Sequence, residues 1–365
     1  MEVKAAVLEA PGAEFSVGPV DLDEPRGDEV LVKVVATGIC HTDLSVRDQY
    51  YPVPLPAVLG HEGAGIVERV GSRVTKVKEG DHVVLSFHSC GDCGNCKQGA
   101  PGYCAELFGH NFGGARPDGS PVMHRGDDIV HGAFFGQSSF AEYALAFENN
   151  VVKVREDAPL EMLGPLGCGI QTGAGTVLNN LHPKAGESIA VFGVGTVGLS
   201  SVMAAKIAGC DPIIAVDLNA KRLGLAEELG ATHAINASDS NPVEAIQELT
   251  GGGANYSVEA TGVPEVVRQS VDALGLQGVC GLLGTSPLGT EITLDMNAIL
   301  FGRTVRGVIE GDAVPDLFIP QMVDMYMAGK FPIDRLMEFY GLDEINEAVA
   351  ATEAGGTVKP ILRMG

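Results

Sequence analysis

Gly193-Val194-Gly195-Thr196-Val197-Gly198 restricts the possible folds of this chain more than any other stretch. A G-x-G-x-x-G spacing means little by itself in a chain with 49 glycines; its surroundings make it specific. The apolar run SIAVFG leads into it, TVGLSSVMAAKIAG follows with helical patterning, and PIIAVD ends on Asp217, 19 residues after Gly198. Strand, glycine turn, helix and second strand make the βαβ unit that binds a dinucleotide. The first glycine permits the turn, the second admits the pyrophosphate, and the third lets helix and strand pack closely. Free N–H groups of the helix's first turn, at Thr196 and Val197, meet the phosphate charge. Asp217 would accept hydrogen bonds from the ribose hydroxyls and repel a 2′-phosphate, so NAD is expected over NADP. Arg222 is the neighbouring cation that keeps a 2′-phosphate in play.

The same alternation of short apolar runs with helical segments continues from Glu187 to about Val308, through HAIN, NPVEAIQELT, YSVEATG, VPEVVRQSVDALG and GVCGLLG. Such alternation predicts a parallel sheet wound with helices on both faces. Before it, EVLVKVVATGI, GAGIVERVG and DHVVLSF read as short strands punctuated by Gly and Pro, and residues 105–139 as loop. Cys210 and Cys280 fall at a helix end and in a strand, as buried thiols. The expected fold is therefore α/β: a β-rich domain over 1–164 and 306–365, and a doubly wound dinucleotide-binding domain over 165–305. The final segment is too short for a third domain and is expected to pack back on the first.

Charge and hydropathy exclude several classes of partner. The net charge of −23 repels nucleic acid and anionic membranes. Ser188 to Ala205 is 18 residues without a charge, the length of a membrane span, but its regular glycines fit a buried strand–turn–helix better. MEVKAAVLEAPG has no continuous apolar core, so no secretory leader is expected and a cytoplasmic location is.

Four of the eight cysteines, Cys90, Cys93, Cys96 and Cys104, crowd into 15 residues. In a reducing compartment such thiols are metal ligands rather than disulfides. Four thiolates around zinc leave no open position, so a Cys₄ site clamps a loop rather than reacting. An iron–sulfur cluster is the competing metal reading. Elsewhere Cys40-His41-Thr42-Asp43 follows a strand, Gly60-His61-Glu62-Gly63 comes later, and Cys168 sits in GPLGCGIQTG. Two Cys and one His are a ligand set for catalytic zinc with a free fourth position, though spacing alone does not join residues so far apart.

GHEGAGIVERVG, the cysteine lobe, GCGIQTG and GVGTVG occur in the order that marks the zinc-containing medium-chain dehydrogenase/reductase family, and the chain resembles that family over essentially its whole length. FFGQSSFAEYAL and ENNVVKV resemble its benzyl (aryl) alcohol dehydrogenase branch. The resemblance implies a GroES-like catalytic domain, a Rossmann domain and an active site in the cleft between them. It makes Cys40, His61 and Cys168 ligands of a catalytic zinc, with the cysteine lobe holding a second, structural one. Glu62 matches an acidic residue that sits near the metal and can transiently ligate it, Asp43 the carboxylate orienting the ligand His, and Thr42 the hydroxyl that bonds the substrate oxygen. His41 matches a basic position near the pyrophosphate, and Arg363 a terminal phosphate-contacting arginine. Many relatives carry a His three residues after the Thr; here Ser45 stands there, leaving Ser45, His41 or water as the proton's exit. The implied activity is NAD-linked oxidation of primary, aryl-type alcohols to aldehydes by a homodimer or homotetramer. A glutathione-dependent formaldehyde dehydrogenase, which needs a cationic pocket absent from 105–139, and a zinc-binding interaction protein are the alternatives.

Overall fold

The computed structural model describes residues 1–365 and divides the chain into two compact units. The first comprises Met1–Cys168, Val314–Gly329 and Ile333–Gly365; the second comprises Gly169–Ala313 and Lys330–Pro332. Set beside the boundaries expected from sequence, the cut falls just after Cys168 rather than at 164. The return falls at Ala313 rather than 305, because the Thr304–Gly307 strand still pairs with the second unit's sheet.

In the first unit, Glu29–Gly38 is the strand on which the metal-binding segments depend. It pairs antiparallel with Gly63–Val70 on one side; on the other it meets Tyr143–Phe147 along its first half and Lys359–Arg363 along its second. It is rich in valine, and all its positions but Lys33 and Val35 are buried, as befits a central strand. The C-terminal Lys359–Arg363 strand thus returns to the start of the chain, with Ile361 opposite Gly38. A second sheet runs in the order Ala57–Val58, Glu2–Leu8, Phe15–Leu22, Met123–Arg125, Asp128–Val130. Residues 105–139 are more ordered than their composition suggests. Leu107–Phe112 is a helix, and Met123–Arg125 and Asp128–Val130 form a hairpin. Gly126, at φ +62°, occupies the hairpin's two-residue turn, where a positive φ favours glycine.

The second unit holds a six-stranded, all-parallel sheet. Numbered along the chain within that unit, its strands lie in the order third, second, first, fourth, fifth, sixth, the order of a dinucleotide-binding sheet. Ile189–Phe192 and Ile213–Asp217 are near-continuous apolar runs because helices cover both faces. The Thr196–Ala208 helix ends on Gly209 at φ +81°, and Asn219 caps Ala220–Leu229 by accepting from the Lys221 and Arg222 N–H groups. Cys210 and Cys280 are buried as expected. The uncharged stretch from Ser188 divides between a strand and a helix, and no helix is long and apolar enough to cross a membrane.

Candidate active site

The Glu29–Gly38 strand ends two residues before Cys40, and the chain turns at once into the short helix His41–Arg47. Asp43, fully buried, fastens this turn. Its Oδ2 accepts from the Cys40 N–H at 2.9 Å; its Oδ1 accepts from the Gly60 N–H at 3.1 Å and pairs with His61 Nδ1 at 2.9 Å. One carboxylate therefore ties the Cys40 segment to the His61 segment and sets the His61 ring. The other ring nitrogen, Nε2, is buried with no hydrogen-bond partner. Phe135 lies against the ring at 4.5 Å and Phe134 meets it edge-on at 5.4 Å.

Cys168 reaches the same place through GPLGCG. A Cβ on Gly164 would sit 2.0 Å from the Glu62 carbonyl oxygen, and one on Gly167 2.0 Å from that of Leu85. Gly164 lets this turn press against the backbone beside His61, and Gly167 lets it press against the end of the His82–Leu85 strand. As a result one donor atom each from Cys40, His61, Glu62 and Cys168 lies within 4.8 Å of the others. The Cys40 thiol is held well below its ordinary pKa, chiefly by its hydrogen bond with Cys168, with Lys359 and His61 acting the same way against burial. Two thiols, one bare imidazole nitrogen and a carboxylate make a donor set suited to zinc. The orphaned Nε2 is the position a metal would satisfy.

Lys359 was not among the residues singled out from sequence. It is buried, and its ammonium donates to both Glu62 oxygens, at 2.8 and 3.0 Å, and to the Ile39 carbonyl at 3.0 Å. A lysine among apolar neighbours in KPILR was the available signal. Arg363, on the same strand, is exposed; it pairs with Glu161 at 3.0 Å and lies over the Phe339 ring. Thr42 Oγ1 stands 3.9 Å from Cys40 Sγ. His41 is exposed at the head of the helix, and Ser45 is buried.

The cysteine lobe closes on itself. Cys90 and Cys96 sulfurs are 3.9 Å apart and those of Cys93 and Cys96 3.5 Å. Zinc–sulfur bonds of about 2.3 Å place tetrahedral thiolates about 3.8 Å apart, whereas a disulfide needs about 2.05 Å. The Cys90 N–H points at Cys104 Sγ and the Cys93 N–H at Cys90 Sγ, each at 3.3 Å. Cys93 is lowered to about 6, first by a backbone N–H bond from Ala105, while burial pushes Cys96 and Cys104 up. Backbone donors turned toward sulfur favour thiolate, the metal-binding form.

In the second unit the glycine turn has the predicted setting between Ile189–Phe192 and Thr196–Ala208. Gly193 is at φ +83°, and a Cβ on Gly198 would come within 1.9 Å of the Gly193 carbonyl oxygen. Gly195 is different: a Cβ there meets nothing within 4 Å. Its missing side chain leaves open space beside the helix N-terminus, where a pyrophosphate would fit. Asp217 ends the next strand and accepts from the Val194, Leu218 and Asn219 N–H groups at 2.8 Å each. Arg222 Nε is buried without a partner.

Comparison with known proteins agrees with both units. Residues 26–156 match the alcohol dehydrogenase GroES-like domain, and residues 196–328 the zinc-binding dehydrogenase domain. The chain is 48% identical to the geraniol dehydrogenase of Castellaniella defragrans over 99% of this chain and 98% of that protein. Among solved structures it resembles an alcohol dehydrogenase zinc-binding domain protein from Burkholderia ambifaria, at 56% identity and a TM-score of 0.98, covering 100% of this chain and 99% of the other. It also resembles the benzyl alcohol dehydrogenase of Acinetobacter calcoaceticus, at 52% identity and a TM-score of 0.97 over the whole of both chains.

Proposed function

The chain belongs to the zinc-containing medium-chain alcohol dehydrogenase family, with a GroES-like and a Rossmann domain, and on that footing we propose that it oxidises primary alcohols of the aryl or allylic type to aldehydes with NAD. The observation that carries this reading is the buried convergence of Cys40, His61 and Cys168 with Asp43 behind the histidine. When bound there, zinc would supply a Lewis acid for the alcohol oxygen and NAD the hydride acceptor.

The chain's own residues do the rest. Asp43 holds His61 with its Nε2 bare, fixing the tautomer that ligates. The Thr42 hydroxyl accepts the proton from the alcohol oxygen at Oγ1 and passes it outward, toward buried Ser45 or exposed His41. Phe134 and Phe135 face His61 with apolar surface, with Phe112 packed on both, and they keep water from the reacting carbon. Those rings suit a substrate with a flat, unsaturated neighbour to its hydroxymethyl group. Geraniol and benzyl alcohol, the substrates in two relatives' names, both have one. Thr196 and Val197 offer first-turn N–H groups to the pyrophosphate beside Gly193, Gly195 and Gly198. Asp217, already oriented by three backbone donors, receives the ribose and disfavours NADP; Arg222 and Arg363 remain cofactor contacts in this proposal. A second zinc in the Cys90–Cys104 lobe clamps its loop.

The working form is a homo-oligomer. Leu276, Leu300 and Phe301 are all strongly exposed, and the Gln277 N–H to Phe301 carbonyl bond brings two of them together beside the edge strand Thr304–Gly307. An apolar patch on an open sheet edge is suited to a second copy. All eight cysteines are free, which fits the reducing cytoplasm.

The test is Cys40→Ala. It should lower the zinc content from two per chain to one and abolish NADH formation from benzyl alcohol. Full activity in that variant would overturn the assignment.

A further inference from the structure

We propose that Gln137 is a positioning residue that sets the aromatic wall of Phe134 and Phe135 at its distance from His61, and so decides the preference for flat over saturated rings; the proposal rests on the aryl-type substrate reading above. The wall is carried on a backbone that does not hold its own shape. Ala133, Phe135 and Ser138 are at φ +56°, +51° and +53°, and Gly136 among them is at +65°. Left-handed backbone disfavours residues with a Cβ, bulky ones most, and persists only where the surroundings hold it. Here the surroundings are buried polar side chains. Asn150 Nδ2 reaches the Phe135 and Gly136 carbonyls, each at 3.2 Å. Ser138 Oγ accepts from the Phe134 N–H at 2.9 Å and donates to the Val58 carbonyl at 2.7 Å.

Gln137 joins this turn to the metal-binding segment. It is buried, and its amide is engaged entirely with backbone. Nε2 donates to the His61 carbonyl at 3.0 Å and the Ser86 carbonyl at 3.1 Å, and Oε1 accepts from the Gly63 N–H at 3.1 Å. One side chain thus grips the backbone of the ligand histidine, as a neighbouring strand would. Ser86 extends the grip. Its carbonyl also accepts from Asn150 Nδ2 at 3.2 Å, and its hydroxyl donates at 2.7 Å to the carbonyl of Gly167, the residue before Cys168. Two buried amides therefore meet on one carbonyl, one holding the wall and the other the His61 segment. The contact of Phe135 with the His61 ring, at 4.5 Å and 30°, depends on this frame. Removing the Gln137 amide takes a hydrogen bond from three buried backbone groups. A turn held in left-handed conformations then relaxes, carrying Phe134 and Phe135 with it. The ligand side chains are untouched, so the metal stays while the wall shifts.

The experiment uses the full chain with cobalt(II) in place of zinc, titrated with benzamide and with cyclohexanecarboxamide and followed through the visible cobalt bands. These unreactive stand-ins for the aldehyde differ in whether the ring is flat, and they report binding apart from turnover. Wild type should bind benzamide more tightly. Gln137→Met, which keeps the length and removes the hydrogen bonds, should cut that preference about tenfold, within the range for a reshaped pocket, at unchanged cobalt content. The ratio of kcat/KM for benzyl alcohol over cyclohexylmethanol should fall with it. Phe135→Leu should cut the preference to a similar degree. Adding Gln137→Met to Phe135→Leu should change it little further, because the glutamine acts through the ring. If Gln137→Met fails to fold, Gln137→Asn, which keeps the amide on a shorter arm, carries the same expectation. A preference that survives in the folded variant, or losses that add fully in the double variant, would overturn the proposal. A role in stability alone weakens both probes by one factor and leaves their ratio unchanged, which also overturns it. Failure of the substrate reading looks different: wild type itself then shows no preference, or no band change with either probe, and the proposal falls with that reading.

Discussion

Asp43 shows how much one buried side chain can organise. Its two oxygens serve two backbone N–H groups and one imidazole, on segments nearly twenty residues apart. Partners of this kind raise the ligand's basicity and fix its ring. Asp43→Ala should weaken zinc binding at this centre by about 10–100-fold. Competition with a metal-binding dye would measure it, with the cysteine lobe as internal control because it lies on other residues. Thr42 acts differently: its hydroxyl stands 3.9 Å from Cys40 Sγ. Thr42→Val should leave two zinc ions bound and lower kcat, by about 10²-fold or more for the loss of a proton-transfer group. Thr42→Ser should recover most of that rate. Equal kcat in wild type and Thr42→Val would remove Thr42 from the proton path.

Among the elements, the glycine turn separates folding from binding within a few residues. Gly198 is required by packing, since a Cβ would strike the Gly193 carbonyl oxygen at 1.9 Å. Gly198→Ala should cost about 1–3 kcal/mol of stability, the usual penalty for overpacking, read as a lower denaturant midpoint. Gly195 has an ordinary extended backbone, at φ −77°, and empty space around it. Gly195→Ala should leave the midpoint unchanged and raise the KM for NAD, because the methyl enters the space meant for the pyrophosphate. A Gly195→Ala protein with unaltered NAD binding would mean that the cofactor does not lie there. The cysteine lobe has the opposite character. It has short helices and little apolar core of its own, and four sulfurs close it.

For the whole molecule, the exposed side chains of Leu276, Leu300 and Phe301 form an apolar patch on a chain of net charge −23. If a second copy covers it, Phe301→Asp should shift the sedimenting species toward the monomer at unchanged secondary structure. Identical sedimentation in variant and wild type would place the subunit contact elsewhere. The strong net negative charge adds mutual repulsion between copies, so dissociation of the variant should be more complete at low ionic strength.

The glycine fingerprint, the parallel sheet around it and the four-cysteine lobe were legible in the sequence because each closes over a short span. A βαβ unit needs a strand, a turn and a helix in succession, and the lobe needs four thiols within 15 residues. The tertiary structure alone gathered Cys40, His61 and Cys168, for which the family resemblance had supplied the expectation and spacing had not. It alone paired Lys359 with Glu62 across 297 positions. Lys359 and Arg363 have the same parity along one strand, so alternation does not tell them apart; depth in the sheet does. Depth depends on which strands pair and in what register, and strand register is fixed by distant partners rather than by neighbours in the chain.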